Sequence, residues 1–433
     1  MIYEAPPTTA ADTAVIGEIE QLREQLRPYL RMRRRWYGTL RRTQFARAVQ
    51  GSNSIEGYHA SVEDAAAVID QGELSADLPG DTIRAISGYR DAMTYALQLA
   101  AGVSPPDRAH GAVARAPGEH GPNQPRIRPA PDPPLEPQHP AAPRPFQPPL
   151  DLSTLRSLHF MMIKHDIARN PGQLRPGAIW VADADGESVY DAPDRHVLEP
   201  LLDDFFEQCS RLANDAEVPA MVAAAMAHLN LVLIHPFSDG NGRMARCVQT
   251  LVLAAAASRN GDPLASEFLS IEEYLGRNTL QYYAALNAVT GGRWSPQHSA
   301  RSWIQFCLTA HFRQARTVLQ RIRDFESLWD ACSQLAQQRS VPERAVGTLC
   351  DAARGWMVRR ALYLVRTETA DGEPISTGMA SRDLQAMTKA GLLMPAGEKR
   401  GRRYRPSAEL TDIWQQIRSN RPPLNAADPY ADR

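Results

Sequence analysis

The chain has 433 residues, with 48 Lys and Arg against 49 Asp and Glu and a formal net charge of −1. A hydrophobic content of 43% excludes wholesale disorder, and the charge balance excludes a chain that is basic throughout. The five cysteines are scattered without CxxC spacing, which argues against a disulfide framework or a structural zinc site and favours a reducing cytoplasm.

Residues 1–102 are predicted to form an N-terminal helical region. Apolar residues recur at the spacing of a helix at Ile16, Ile19, Leu22, Leu26 and Leu30. The basic run Arg31–Arg42 contains Trp36 and Tyr37 and could be a nucleic-acid surface, but a solvated helix face is the preferred interpretation. The capping-box pattern of residues 61–64 predicts that a helix begins near Ser61.

Prolines crowd into residues 103–149, where no apolar periodicity is visible. Proline has no backbone N–H to donate to a helix or sheet, and this segment has too little apolar surface to offset its ordering entropy. We therefore predict a disordered or polyproline-like insert. A ligand for a proline-binding partner domain is the alternative interpretation.

Residues 150–315 are predicted to be a helical core, followed by a connecting helix over 316–340. Helical patterns cover Leu152–Ala168 and resume near Asp194, and a β-like run at Ala178–Val181 predicts a small hairpin between them.

An Ala-rich stretch from Val218 to Ile234 is the most membrane-like part of the chain. It contains His228 and Asn230 and falls short of the ~20 apolar residues that a spanning helix needs. We expect a helix buried in a protein core. Residues 1–7 lack the basic and apolar regions of a secretory signal, which again favours the cytoplasm.

The C-terminal part is predicted to be a winged helix-turn-helix over 341–420, followed by a tail at 421–433. Helical patterns at Glu343–Val365 and Thr377–Leu393 precede a basic turn, Lys399–Arg405. Helix, turn, helix and hairpin is the layout of that motif.

The segment His235–Arg246 follows the Ala-rich helix and leads into another apolar helix. Consecutive backbone N–H groups of Gly240, Asn241 and Gly242 would be free at the start of that second helix. Such a nest at a helix N-terminus binds phosphate or another anion.

Side chains around this nest suit a phosphoryl-type reaction. Asp239 is a hard oxygen ligand for Mg²⁺, and Arg243 and Arg246 can bind further phosphates. His235 titrates near neutral pH and can take a proton from an incoming nucleophile. Phe237 is expected to anchor the loop in the core.

The twelve residues from His235 to Arg246 match the motif HxFx(D/E)GNGRxxR at every fixed position. The chain therefore resembles the Fic (filamentation induced by cAMP) family, whose members transfer a nucleotide monophosphate, usually AMP from ATP, to a hydroxyl of a target protein. The resemblance implies a mainly α Fic-type helical bundle with a small β-hairpin flap, which here corresponds to Gly172–Asp185. It also implies Mg²⁺ as cofactor.

The resemblance further implies roles for individual residues. His235 corresponds to the general base that deprotonates the target Ser, Thr or Tyr, and Asp239 to the Mg²⁺ ligand. Strand addition at the flap would bind the target backbone. The positions assigned to nucleotide binding are Asp239, Gly240, Asn241, Gly242, Arg243, Met244, Ala245, Arg246, Val181, Ala182, Tyr282 and Tyr283.

Residues Ser52–Gly57 match the inhibitory pattern of the family, (S/T)xxxE(G/N). In that pattern the glutamate, here Glu56, pairs with Arg246 and keeps the γ-phosphate of ATP from seating productively. Ser52, Glu56 and Gly57 are thus predicted to be regulatory residues of an autoinhibited protein adenylyltransferase.

Several alternatives remain open from the sequence. Glu56 could instead position water to remove AMP from a modified target, or the enzyme could transfer UMP, phosphate or phosphocholine. The chain could also be a DNA-binding regulator that binds phosphates through Arg382, Arg400, Arg402, Arg403 and Arg405. Expected partners are ATP, a target protein, the chain itself by autoadenylylation, and DNA or a protein at the winged helix. A homodimer is another expected assembly, and no membrane partner is expected.

Overall fold

The computed structural model describes most of the chain. The described ranges are 1–31, 36–70, 78–102, 150–182, 186–262, 268–371, 375–397, 402–421 and 428–431. The predicted Pro-rich insert, residues 103–149, lies outside them. Within these ranges the protein is mainly helical with two small hairpins, which confirms the predicted mainly α fold class.

The N-terminal region contributes helices with the apolar stripe that the sequence predicts. They are α1 (Ala10–Arg31), α2 (Tyr37–Ile55), α3 (Val62–Ile69) and α4 (Gly80–Ala101). Ile19 and Leu26 of α1 are buried. The Ser61 hydroxyl caps α3 by accepting the Asp64 backbone N–H at 3.0 Å, as predicted.

The basic run Arg31–Arg42 does not form the fully solvated helix face that we expected. Trp36 is buried and packs edge-on against Phe325, with ring centroids 6.0 Å apart. A large aromatic ring gains more from burial than from exposure, so it overrides the basic pattern around it. Residues 32–35 of the run lie outside the described residues.

The central part of the chain follows the predicted succession of helix, hairpin and helices. Its elements are α5 (Leu152–Ile163), β1 (Trp180–Ala182), β2 (Ser188–Asp191), α6 (Leu198–Asn214), α7 (Ala220–Ile234), α8 (Asn241–Arg259), α9 (Glu272–Arg277), α10 (Thr279–Thr290) and α11 (Arg301–Gln338). Every side chain of α7 from Met221 to Ile234 is buried, and α7 packs on α8, which packs on α4. A helix that is apolar on all sides needs protein on all sides. No helix in the described ranges is both long and apolar enough to cross a bilayer.

Helix α11 runs through the predicted boundary between the core (150–315) and a connecting helix (316–340). Near its start, Trp303 donates to the Ala225 carbonyl of α7 at 2.8 Å, and further along Phe325 packs on Trp36. One continuous helix therefore joins the core to the N-terminal region.

The C-terminal part has the element order expected of the predicted motif. It consists of α12 (Val346–Ala353), α13 (Arg360–Asp371), α14 (Thr377–Lys389), β3 (Leu393–Ala396), β4 (Arg403–Pro406) and α15 (Ala408–Ser419). Strands β3 and β4 are antiparallel, and Val358 forms a further bridge to Tyr404. The assignment as a winged helix stays a prediction. Arg400 lies outside the described residues.

Helices α2 and α9 approach closely through two glycines. A Cβ at Gly51 would lie 2.6 Å from the Glu272 carbonyl oxygen, and one at Gly276 would lie 2.5 Å from the Gly51 carbonyl oxygen. Glycine is required at both positions because any side chain would collide with backbone. This contact fixes the end of α2 against the core.

Candidate active site

The loop between α7 and α8 lies where the sequence predicts it. His235 ends α7 in a left-handed conformation with φ of 53°, and its N–H donates to the Leu231 carbonyl at 3.2 Å. Gly240, with φ of 76°, precedes the first turn of α8. Two buried helices thus hold both ends of a six-residue turn.

Asn241 and Phe237 close this loop on itself. The Phe237 N–H donates to Asn241 Oδ1 at 2.9 Å, and Asn241 Nδ2 donates to the Phe237 carbonyl at 2.8 Å. Both polar atoms of the Asn241 side chain are therefore engaged within the loop, which fixes the side chain in place. Phe237 is fully buried, as predicted.

His159 on α5 supports the loop from below. Its ring stacks on Phe237 with centroids 3.7 Å apart. Its Nδ1 accepts the Gly172 N–H at 2.8 Å, so Nε2 carries the proton and donates to the Asp239 carbonyl at 3.0 Å. Burial lowers the pKa of His159 to about 4, which keeps the ring neutral.

His235 is arranged as a proton acceptor. Its Nδ1 lies 3.0 Å from the Val232 carbonyl oxygen. A carbonyl only accepts, so the ring proton must be on Nδ1, and the lone pair on Nε2 is free to take a proton. Burial lowers the pKa of His235 below its usual value, so the imidazole is neutral at pH 7.

Arg175 fixes the backbone beside this histidine, and sequence reasoning missed it. Its side chain is buried, and its Nε donates to the His235 carbonyl at 2.9 Å. Its two terminal nitrogens donate to the carbonyls of Gly177 and Pro193. One guanidinium thereby ties the catalytic loop to both sides of the β1–β2 hairpin.

The start of α8 offers the predicted anion cradle. Within the described residues, no acceptor bonds to the backbone N–H groups of Gly240, Asn241 or Gly242. A Cβ on Gly242 would lie 2.5 Å from Oε1 of Glu56, so the carboxylate of Glu56 sits directly against this backbone. The Glu56 side chain therefore lies beside the cradle, where it is bonded to Arg246.

Arg243 is a buried cation with unused donors. It is 1% exposed, and its Nε and Nη1 lack hydrogen-bond partners among the described residues. Its Nη2 lies 3.6 Å from Asp239 Oδ2, and its guanidinium lies 5.3 Å from the Tyr58 ring. Unpaired donors inside a protein are costly, so this arrangement favours a bound anion.

Arg246 is held by Ser52 and Glu56, the residues of the predicted inhibitory motif. Its Nη2 donates to Oε1 of Glu56 at 2.5 Å and to the Ser52 carbonyl at 3.1 Å, and its Nε donates to the Ser52 hydroxyl at 2.8 Å. Burial opposes its charge, but the adjacent Glu56 carboxylate outweighs burial and raises the pKa of Arg246. Gly57 follows the end of α2 with φ of 83°, a conformation that suits glycine.

Asp239 is paired with cations of the chain. Its Oδ2 lies 2.7 Å from Nη1 of Arg169, and Nε of the same arginine donates to Asp166 Oδ2 at 2.9 Å. No group of three or more His, Cys, Asp or Glu able to hold a metal occurs among the described residues. A single carboxylate fits a Mg²⁺ ion that takes its other ligands from phosphates and water.

Met244 and Ala245 belong to the predicted motif but face the core. Both side chains are fully buried, and the Met244 N–H already donates to the Gly240 carbonyl at 2.9 Å. Their side chains face away from the loop surface, and the assignment of these two positions to nucleotide binding stays a prediction.

The flap forms as a hairpin, although longer than predicted. Val181 pairs with Tyr190 and Ala182 with Ser188. The second strand extends to Asp191, beyond the predicted limit at Asp185, which itself lies outside the described residues. Trp180 on the first strand is 62% exposed.

The predicted tyrosine pair divides into a packed and an exposed member. The Tyr282 side chain is buried, and its hydroxyl lies 3.0 Å from Nε2 of His228. The Arg246 guanidinium lies 5.9 Å from the Tyr282 ring. Tyr282 thus supports Arg246 from within the core, and only Tyr283, 46% exposed, offers surface to a ligand.

The sequence profile of the Fic/DOC family matches residues 149–253. A "Protein adenylyltransferase fic-1" of Caenorhabditis briggsae is 30% identical over 149 residues, which cover 34% of this chain and 25% of the relative. A "Protein adenylyltransferase Fic" of Nematostella vectensis is 31% identical over 108 residues, covering 25% of this chain and 23% of the relative. The chain therefore spans about a quarter of the length of the curated relatives that it matches.

Among solved structures, a Fic family protein from Desulfovibrio desulfuricans aligns with a TM-score of 0.51 at 18% sequence identity. The alignment covers 93% of this chain and 98% of that one. At this identity the likeness concerns the fold alone.

Proposed function

We propose that this chain, whose residues 149–253 match the Fic/DOC family profile, is an autoinhibited protein adenylyltransferase. It would transfer AMP from ATP to a Ser, Thr or Tyr hydroxyl of a target protein. The observation that carries the proposal is the carboxylate of Glu56, bonded to Arg246 and lying against Gly242 at the mouth of an anion cradle.

The proposed reaction forms one bond and breaks another at phosphorus. The target hydroxyl oxygen attacks the α-phosphorus of ATP, the bond from that phosphorus to the bridging oxygen breaks, and pyrophosphate leaves. The hydroxyl proton goes to Nε2 of His235. The hydrogen bond from Nδ1 to Val232 supports this role, because it fixes the tautomer with Nε2 unprotonated.

Charge stabilisation would come from groups that the loop already presents. The N–H groups of Gly240, Asn241 and Gly242 and the free donors of Arg243 are suited to phosphate oxygens. Asp239 would hold Mg²⁺, which when bound neutralises phosphate charge. Arg169 would have to release Asp239 for that purpose.

Autoinhibition would follow from competition for Arg246. A phosphate and the Glu56 carboxylate cannot both occupy the space beside Gly242. To leave ~1% of molecules active, the Glu56 contact must supply about 2.7 kcal/mol. A charge-assisted hydrogen bond contributes roughly 1.5–3 kcal/mol, so the pair is strong enough.

The test compares intact masses of the full chain after incubation with Mg·ATP. Glu56→Gly is expected to raise autoadenylylation about 100-fold, and adding His235→Ala to it is expected to abolish the modification. Glu217→Gly, at an exposed turn, is the matched control. An unmodified Glu56→Gly protein would count against the proposal.

The same variants separate the rival reactions. Release of AMP from an adenylylated protein, lost on Glu56→Gly, would indicate the reverse reaction. A mass shift with a UTP or CDP-choline donor, and none with ATP, would indicate transfer of another group.

A further inference from the structure

A second basic site lies away from the catalytic loop. A cavity of about 370 Å³ opens between α2, α11 and α15. The described residues that line it include six arginines and no acidic residue: Arg47, Arg277, Arg321, Arg354, Arg418 and Arg421. The volume lies within the roughly 300–1,000 Å³ range of small-molecule sites.

Three of these arginines share one carboxylate behind the cavity wall. Glu273 lies 3.3 Å from Arg47, 2.6 Å from Arg321 and 2.9 Å from Arg277. Burial, and next the charge of Arg321, lower the pKa of Arg47 to about 10. One negative charge therefore faces three positive charges at this wall.

The other arginines leave further donors unused. Arg354 pairs with Asp351 and Arg421 lies 2.6 Å from Asp324, yet the Nε of each arginine is buried without a hydrogen-bond partner among the described residues. Arg418 is exposed, and no partner for its side chain occurs in the described ranges. Buried donors without acceptors indicate that the site is built for an anion.

Aromatic rings complete the lining. Trp356 and Trp414 both face the cavity, 4.5 Å from the guanidinium of Arg354 and 5.6 Å from that of Arg421 respectively. Indole rings stack on flat aromatic groups, and arginines bind phosphates. We propose that this cavity binds a nucleoside phosphate.

The cavity also touches the inhibitory helix. Thr43, Gln44 and Arg47 of α2 line it, and Arg47 lies nine residues before Glu56 on that helix, about 14 Å along its axis. The cavity is formed while Glu56 is bonded to Arg246. Two conformations are compared: this one, and one in which α2 is displaced. A ligand that binds the first more tightly than the second stabilises the inhibited state. This regulatory part rests on the proposed function.

The binding test uses the full chain and ADP as the probe, read by calorimetry and by tryptophan fluorescence. Comparison with Trp356→Phe and Trp414→Phe identifies the part of the quenching that comes from the cavity, because the other five of the seven tryptophans are not among its lining residues. Arg418→Ala is expected to weaken the quenching site about tenfold. Arg211→Ala, at an exposed arginine of α6 outside the cavity, is the matched control and is expected to bind as the parent does.

Equal ADP affinity in Arg418→Ala and Arg211→Ala would overturn the proposal, as would the absence of quenching at millimolar ADP. Equal affinity for tripolyphosphate would overturn recognition of a nucleoside, and binding of an oligonucleotide alone would point to nucleic acid instead. In autoadenylylation, ADP is expected to inhibit the parent more than Arg418→Ala, and this difference is expected to vanish on Glu56→Gly. Inactivity of every variant would refute the proposed function and leave the binding result standing.

Discussion

Two glutamates of this protein meet arginines in different ways. Glu56 bonds one arginine, Arg246, at 2.5 Å, and its side chain keeps 24% of its surface exposed. Glu273 is 3% exposed and lies within ion-pair distance of three arginines. Glu56 is therefore held by fewer ion pairs than Glu273, which holds together cations that would otherwise repel. In the proposed mechanism this difference in exposure and in number of partners lets a phosphate replace Glu56, while Glu273 stays in place as a structural charge.

The largest expected effect is on stability, at Glu273. Glu273→Gln leaves the partly buried Arg47 and Arg321 and the exposed Arg277 without their shared buried carboxylate, and breaking a buried ion pair costs up to about 3–5 kcal/mol. Urea unfolding of the full chain measures this free energy. Glu199→Gln, which removes an exposed pair with Arg195, is the control and is expected to cost less than ~1 kcal/mol. Equal stability of the two variants would contradict the comparison.

The pH dependence of the unfolding free energy is a second test of how much Glu273 stabilises the fold. Burial raises the pKa of Glu273, but Arg321 and then the other arginines outweigh it and lower the pKa from 4.5 to about 2. The pKa of Glu273 is therefore lower in the folded state than in the unfolded state. Its ionised carboxylate stabilises the fold at pH values above about 4.5, and this stabilisation is lost as the pH falls from about 4.5 towards 2. We expect a loss of about 3 kcal/mol over that window, and a smaller loss in Glu273→Gln.

A smaller effect is expected where α2 meets α9. Gly51→Ala would place a Cβ 2.6 Å from the Glu272 carbonyl oxygen, and such overpacking costs about 1–3 kcal/mol. The displaced α2 would weaken the Glu56 contact, so autoadenylylation should rise. Gly17→Ala on α1 is the control, because nothing lies within 4 Å of its new Cβ. Unchanged activity together with reduced stability would show that α2 does not transmit the strain.

The smallest effect is expected at Arg169, which competes with a metal for Asp239. Arg169→Ala removes a half-exposed ion pair worth up to ~1 kcal/mol, so Mn²⁺ binding in the presence of ADP should tighten up to about fivefold. Electron paramagnetic resonance of free Mn²⁺ measures this without an activity assay. Arg195→Ala should leave the metal affinity unchanged. Weaker binding in Arg169→Ala would mean that Arg169 assists the site.

The catalytic loop could be predicted from sequence because its functional residues are contiguous between two apolar helices. Motif position does not reveal which way a side chain faces, and the structure shows that the side chains of Met244 and Ala245 point into the core. The sequence identifies Glu56 only through a short motif, and the arginine that pairs with Glu56, Arg246, lies 190 positions further along the chain. The family resemblance, and not local spacing, supplied that pairing.

Other parts of the site carry no local signal. Arg175 and His159 act through backbone groups of residues 60 and 80 positions away, and a lone buried Arg or His looks like any other in the sequence. The arginines of the second cavity come from α2, α9, α11 and α15 and from turns, so only the folded chain brings them together. The prediction of a solvated helix face is wrong for Trp36, because its ring is buried although most of its sequence neighbours are basic.

Asn241 and Phe237 give the catalytic loop its shape through bonds internal to the chain. A substrate therefore need not mould the loop, and few backbone torsions are left to be immobilised on docking. We therefore expect a substrate to bind to a preorganised loop. Under the proposed mechanism, the association rate would be limited by diffusional encounter and by displacement of Glu56, and not by refolding of the loop.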